Sequence, residues 1–227
     1  MSTVDNKVTV AIMARNEEAT IENVIRSVLP HAQETIVVDG NSTDGTRELA
    51  ESLGVGVFRD AGRGKGDGIR KAIEVAAGDI IVFFDADGSH DAADIPKLVA
   101  PINEGAADLV VGSRWKGGSD ELGGDWSMFI RSTGSAFIAM LINCRWHVML
   151  TDCENGFRAI SKKVAGNLEL EEEGFTIEQE MVMKSLKKGY RVEEVPTHEY
   201  VRQAGESQIT VWKVLHKFAW NLIKNMV

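Results

Sequence analysis

The sequence predicts a single α/β domain with a mostly parallel central sheet flanked by helices. Two observations carry that expectation. Short β-rich runs alternate with loops and helix-period segments four times between Val8 and Gly112, the pattern of strands joined by right-handed crossovers. The residues of unusual chemistry fall in the loops after the strands, where open α/β sheets hold their ligands. At 227 residues the chain suits one sizeable hydrophobic core.

Val8 to Met13 opens the sheet and leads into the loop Ala14-Arg15-Asn16-Glu17-Glu18. Ile21, Val24, Ile25 and Val28 then recur at helical spacing in the segment Ile21 to Leu29, with Thr20 as N-cap. Thr35 to Val38 is a second strand, stopped by the polar run Asp39 to Thr46. The helix Thr46 to Leu53 follows, capped by Thr43 or Asp44. Val55 to Arg59 is a third strand. The glycine-rich loop Arg63-Gly64-Lys65-Gly66-Asp67-Gly68 leads into a helix over Ile69 to Ala77. Ile80 to Phe84 is continuously apolar, as a buried central strand is, and ends at Asp85-Ala86-Asp87-Gly88-Ser89-His90. A helix over Ile95 to Asn103 and a strand over Leu109 to Gly112 complete this half.

The second half reads differently. Trp115 to Asn143 begins rich in Gly, Ser and aromatics and becomes apolar and helical from Met128. Asp152 to Ile160 is a turn entering a strand, Phe175 to Lys188 a helix, Tyr190 to Pro196 a strand. Ile209 to Val227 is an amphipathic helix. No composition break divides the chain, so one domain is expected over 1–227, with halves 1–113 and 114–208 and a last helix over 209–227.

Bulk properties exclude several function classes. A net charge of −9 and a pI near 5.1 argue against a nucleic-acid binder. Cys144 and Cys153 lack metal-ligand spacing and suggest no disulfide framework. The first residues carry no apolar leader, and no run reaches the ~18 apolar residues of a membrane span. A cytoplasmic location is expected. The histidines form no zinc-ligand pair, and no nucleophile elbow is present.

The chemistry concentrates in a few loops. Asp85 and Asp87 stand two residues apart at the end of the apolar strand, an arrangement that repels itself unless a cation intervenes. The alternative is a strand end with two solvated aspartates. The glycine-rich loop fails the phosphate-loop and dinucleotide patterns, yet Arg63, Lys65 and Arg70 bring positive charge suited to a diphosphate. Asp39 at a strand end can accept from nucleobase N–H or ribose hydroxyls. Arg114, Lys116, Arg131, Arg158 and Arg202 sit beside glycines or turns, as an anion pocket or as surface ion pairs. The last helix carries Val211, Val214, Leu215, Phe218, Leu222 and Ile223 as a broad stripe flanked by Trp and Lys. It packs on the domain or lies in a membrane interface.

Assembled in order, these runs resemble a family 2 glycosyltransferase of the A-type fold. Within that family the chain resembles polyprenyl-phosphate sugar transferases such as dolichyl-phosphate mannose synthase. The resemblance rests on A14-R-N-E-E, D39-G-N-S-T-D-G-T, G64-K-G-D-G-I-R-K-A, D85-A-D-G-S-H, G112-S-R-W-K-G-G, R131-S-T-G, D152-C-E-N-G-F-R-A, E178-Q-E-M and G205-E-S. It implies a nucleotide-sugar-binding half over 1–113 and an acceptor-side half over 114–208. By the same resemblance Ala14, Asn16, Glu17 and Asp39 hold the nucleoside, and Lys65 and Asp67 continue that pocket. Asp85, Ala86 and Asp87 meet the diphosphate. A Mg²⁺ or Mn²⁺ ion is implied on Asp85, Asp87 and Ser89, with Asp87 the direct ligand, Asp85 on the nucleotide side and Ser89 acting through water.

The resemblance further implies that Arg114 lies near sugar and phosphate, and that Arg131, Ser132 and Arg202 face the acceptor phosphate. Glu180, rather than Glu178, is the expected acid beside the sugar. Gly40 replaces a second acid found in relatives, so one nucleotide contact is lost or moved. The implied reaction is inverting, metal-dependent transfer of a hexose from a GDP- or UDP-hexose to a polyprenyl phosphate. It would occur at the cytoplasmic face of a membrane held by peripheral contact, with no nucleic acid involved. Transfer to a soluble phosphorylated acid or sugar hydroxyl, a nucleotidyltransferase, and a silent nucleotide-sugar sensor are the alternatives.

Overall fold

A computed structural model describes residues 6–120, 126–203 and 211–226, of which 126–132 and 211–216 are described by backbone alone. Its strands are β1 (Val8–Ala14), β2 (Glu34–Asp39), β3 (Gly56–Arg59), β4 (Ile80–Asp85), β5 (Leu109–Ser113), β6 (Arg158–Ser161) and β7 (Val192–Pro196). They form one sheet in the order β3-β2-β1-β4-β6-β5-β7. Every neighbouring pair is parallel except those made by β6, which runs against both β4 and β5. Strands from both halves of the chain therefore share one sheet, and the expected mostly parallel architecture is what the chain adopts.

The helices are α1 (Ile21–Val28), α2 (Thr46–Ser52), α3 (Lys65–Val75), α4 (Ile95–Asn103), α5 (Arg114–Gly117), α6 (Trp126–Trp146), α7 (Lys162–Asn167), α8 (Ile177–Lys187) and α9 (Val211–Met226). They cover both sheet faces. On one face Ile21, Ile25, Ile95 and Leu98 pack against Ile12, Val82 and Phe84. On the other, Ile69, Ile142, Met181 and Leu222 pack against Ala11, Phe83 and Val111. Central strands buried on both sides need apolar residues at every position, which explains the unbroken run of β4.

Two local expectations change. The helix α3 begins at Lys65, so half of the expected glycine-rich loop is its first turn. A Cβ at Gly66 would lie 2.1 Å from the Glu172 carbonyl oxygen, and the Gly66 N–H donates to the Glu173 carbonyl at 2.8 Å. Glycine there lets the turn press against the 172–173 backbone. Thr20 does precede α1, but its hydroxyl donates to the Ala86 carbonyl at 2.6 Å rather than capping the helix. It ties the first helix to the loop after β4.

The antiparallel β6 has the largest consequence for a site. Because it enters the sheet in the reverse direction, the turn before it lies at the edge where β1, β2, β4 and β5 end. Arg158, its first residue, is wholly buried between β4 and β5, opposite Phe83 and Val111. Its guanidinium donates to the carbonyls of Asn155 (2.5 and 3.0 Å), Cys153 (3.3 Å) and Glu178 (2.7 Å). Burial presses its pKa down, with Glu178 and Asp152 opposing. Arg158 is thus an internal strut joining the turn to α8, not part of an anion pocket. Arg158→Met is expected to lower stability by about 3 kcal/mol in urea unfolding, since buried carbonyls lose charged donors. An unchanged midpoint would remove the strut.

Candidate active site

At the carboxyl edge of the sheet the strand-end loops enclose a cavity of about 340 Å³, a size suited to a small molecule. Ala14, Glu17, Lys65, Asp85, Ala86, Asp87, Ser89, Arg114 and Arg202 all line it. The loops singled out in the sequence therefore do converge. Parallel strands guarantee this, because each ends on the same side.

Lys65 organises the floor. Its ammonium lies 2.8 Å from Asp85 and 3.0 Å from Glu178. Burial opposes its charge, but Asp85 and Glu178 outweigh burial and raise its pKa. Asp85 is correspondingly held well below the carboxylate range: burial would raise it, and Lys65 and His90 overcome that. His90 sits 3.7 Å from Asp85, stacked on Phe157 and edge-on to Phe84. A Cβ on Gly156 would fall 2.5 Å from the Lys65 ammonium and 2.7 Å from Asp85, so this turn must carry glycine. Asp85 is therefore engaged by Lys65 rather than left open as the expected metal ligand.

Asp87 has a different environment. One oxygen accepts from the Ser89 N–H (3.0 Å) and the Ser89 hydroxyl (2.7 Å). The other faces Arg202 at 3.8 Å. Ser89 thus orients Asp87 from within the same turn. Gly88, at φ 76°, makes the turn that brings Ser89 back onto Asp87. Nearby Glu17 is raised to about 7, first by burial and then by the charge of Asp87. The Thr20 hydroxyl and Arg202 oppose that rise. Among the described residues no three acidic, histidine or cysteine side chains cluster as a ready-made metal cage.

Arg202 arrives on a strap, residues 197–203, bound by its backbone on two sides. The Tyr200 and Gln203 N–H groups donate to the Ser89 and Asp87 carbonyls, and Glu199 donates to Gly118. Arg114 follows β5 as the first residue of α5. Asp152 grips it through Nε (2.6 Å) and Nη2 (3.0 Å), while Nη1 lies 3.5 Å from Glu199. Burial disfavours its charge, yet Asp152 and Glu199 hold its pKa above the ordinary value. Lys116 points elsewhere, to Glu194 at 3.0 Å.

Several expected residues lie outside the cavity lining. Asn16 accepts from the Thr43 N–H at 2.8 Å, locking the first two strand-end loops together. Asp67 accepts from Ala61 N–H and Arg63, both at 2.6 Å, and stabilises the turn before α3. Asp39 is buried at the end of β2; one oxygen accepts from Ser42, and the other has no hydrogen-bond partner. Arg131 and Ser132 fall on α6, and their side chains lie outside the described residues.

Glu180 is the clearest correction. Residues two apart on a helix point in nearly opposite directions. Glu180 accepts from the N–H groups of Glu171 and Glu172 (3.0 and 2.9 Å) and pairs with Lys184 (2.8 Å), away from the cavity. Glu178 lines the cavity instead, with one carboxylate oxygen buried and without a partner. Sequence reasoning also passed over Glu154, Asn155, Asp60 and Ser135, which all line the cavity. The run D152-C-E-N-G-F-R-A was the available signal, but only the reversed β6 places it at this edge.

Comparison with known proteins agrees with this geometry. The sequence model described as Glycosyl transferase family 2 matches residues 9–168. Glycosyltransferase AglJ of Haloferax volcanii is 34% identical over 192 residues, covering 84% of this chain and 62% of that protein. Dolichol-phosphate mannosyltransferase of Pyrococcus furiosus is 31% identical over 215 residues, 89% of this chain and 59% of that one. The chain thus spans about three fifths of the length of these two relatives. Among solved structures, glucosyl-3-phosphoglycerate synthase of Mycobacterium tuberculosis, in complex with Mn²⁺, UDP and phosphoglyceric acid, superposes with a TM-score of 0.76. It shares 23% identity and covers 98% of this chain and 79% of its own, which establishes the common A-type glycosyltransferase fold. By the family model spanning its strand-end loops, together with that shared architecture, this chain belongs to glycosyl transferase family 2.

Proposed function

We propose that the protein transfers a hexose from a nucleotide-diphosphate sugar to a polyprenyl phosphate, by single displacement with inversion. The observation that carries this reading is an exposed apolar surface on the two helices, α6 and α9, that border the cavity. Phe218 lines the cavity, and further along α9 Trp220 and Ile223 are 65% and 59% exposed. Ser135 lines it from α6, and beyond it Phe137 and Met140 are 55% and 48% exposed. The two helices pack on each other. Their outward faces offer a lipid chain an apolar surface beside the cavity that holds the cations. The kinship with the Pyrococcus furiosus enzyme named for a dolichol phosphate supports the same acceptor.

The donor end follows from the strand-end loops. Ala14 and Glu17 line the cavity where a nucleoside would lie. Asp87 fits a Mg²⁺ or Mn²⁺ ion: it lines the cavity, one oxygen is fixed by Ser89, and the other faces the cavity-lining Arg202. When bound, such an ion supplies charge neutralisation for the departing diphosphate. Arg202 and Arg114, both lining the cavity, orient phosphate oxygens. The acceptor phosphate is already an anion near neutral pH and requires no general base. The residues needed are those that position it and keep the reacting end dry.

One face of the last helix packs on the domain and another is exposed. Asn221, Leu222 and Asn225 are buried, and the Asn221 amide donates to the Thr176 carbonyl at 3.4 Å, so one face packs on the domain. Trp220 and Ile223 occupy the outer face, with Lys217 exposed beside them. No helix of the described residues is long and apolar enough to cross a membrane. Contact would be in-plane, through these side chains.

Asp87→Ala is expected to reduce transfer by roughly 10³-fold with an unchanged urea midpoint. The assay reads released nucleoside diphosphate and glycolipid from a GDP- and UDP-hexose panel with undecaprenyl phosphate. Pyrophosphate release from a nucleoside triphosphate, or transfer to phosphoglyceric acid alone, would overturn the proposed reaction. In a second test, the protein is expected to co-sediment with phosphatidylglycerol vesicles. Trp220→Asp with Ile223→Asp should reduce the bound fraction about tenfold, since two apolar anchors are lost. Wild-type protein that stays in the supernatant would count against a lipid acceptor.

A further inference from the structure

We propose that Glu154 is a specificity-determining residue for the donor, accepting a hydroxyl group of the transferred hexose together with Glu178. The inference rests on the family 2 reading of the donor site but not on the nature of the acceptor. The turn before β6 has one polar side chain after another tied down. Asp152 grips Arg114, and the Asn155 amide donates to the Gly112 carbonyl at 2.6 Å while its oxygen accepts from the Phe157 N–H at 3.1 Å. Gly156 lies under the Lys65–Asp85 pair. Glu154, fixed between them through its own N–H to Asp152, is the member of this turn whose side chain has no structural duty. It lines the cavity, and among the described residues its carboxylate makes no ion pair.

The groups facing Glu154 define what it can bind. Arg114 approaches from α5, Glu178 from α8, and Ser135 from α6. The Ser135 hydroxyl lies beside the carboxyl without a hydrogen bond of regular geometry. Glu178 lines the same cavity; one of its oxygens pairs with Lys65 at 3.0 Å, and the other is buried with no hydrogen-bond partner. Burial raises the Glu154 pKa to about 7; Arg114 lowers it, and Asp152 and Glu178 add to the rise. Two carboxyl groups that converge in a small cavity are poor hosts for a phosphate but good hosts for neutral hydroxyl donors. The floor next to them holds Lys65 and Asp85, below the Asp87 end where a diphosphate would lie. A sugar ring attached to that diphosphate presents hydroxyls to this floor.

A site with unpaired buried acceptors discriminates strongly against an analogue that lacks the matching hydroxyl, because the acceptors stay unsatisfied. Calorimetric titration of wild type, Glu154→Gln and Glu178→Gln tests the assignment. The probes are UDP-glucose and GDP-mannose, their 2-, 3-, 4- and 6-deoxy counterparts, and UDP and GDP alone. Wild type is expected to bind its preferred intact donor at least tenfold more tightly than one deoxy counterpart. Glu154→Gln should narrow that ratio below threefold while leaving the affinity for the bare nucleoside diphosphate unchanged. An undiminished ratio in Glu154→Gln overturns the assignment. So does an equal loss of affinity for the bare nucleoside diphosphate, which would make Glu154 structural. Failure of the lipid acceptor leaves these binding ratios untouched, so the two readings fail separately.

Discussion

The site depends on one buried ammonium. Lys65 sits between Asp85 on β4 and Glu178 on α8, and it extends from the first turn of α3. Three elements from distant parts of the chain meet through this group. Two carboxylates brought together without a cation would repel each other and shift toward their neutral forms. With Lys65 between them, Asp85 stays charged. The arrangement also dictates its neighbours: Gly66 lets α3 reach the 172–173 backbone, and Gly156 leaves room above the pair. The glycine-rich loop thus serves close packing around a charge and does not act as a phosphate cradle.

Around that fixed floor the two acids of the opening motif take unequal parts. Asp85 is internally neutralised, whereas the second oxygen of Asp87, a cavity-lining residue, faces Arg202 at 3.8 Å. Ser89 separates their roles by fixing the Asp87 carboxylate from its own turn. The strap of residues 197–203 is hydrogen-bonded to this same turn, so the wall that bears Arg202 and the carboxylate it faces move as one unit. Asp152 does the same for Arg114. Lys65, Arg114 and Arg202 each face an acid that is itself buried or anchored, which places positive charge without leaving these side chains to search for it.

Charge and grease divide the cavity between its ends. Acids and cations crowd the edge of the sheet, while Trp115, Phe175 and Phe218 supply an apolar wall leading toward α6 and α9. The same two helices expose aromatic and aliphatic side chains outward. The amphipathic last helix buries asparagines on one side and presents Trp220 on the other.

Much of this was legible in the residues. Alternating strand and helix patterns determined the parallel sheet, and strands parallel to one another must deliver Ala14, Asp39, Asp85 and Ser113 to one edge. Local periodicity suffices there, because a strand buried on both faces and an amphipathic helix each carry their own signature. What periodicity cannot supply is direction and facing. Nothing in the run Asp152 to Ile160 states that β6 enters backward between β4 and β5; only that reversal puts Glu154, Asn155 and Gly156 at the site. Nor does the run E178-Q-E-M say which glutamate faces inward, since a helix sends them to opposite sides and packing decides which side is the cavity. The sequence by itself determined the edge at which chemistry gathers. Only the tertiary structure decided which carboxylates are neutralised, which are anchored, and which remain open to a substrate, because those outcomes depend on partners dozens of residues away.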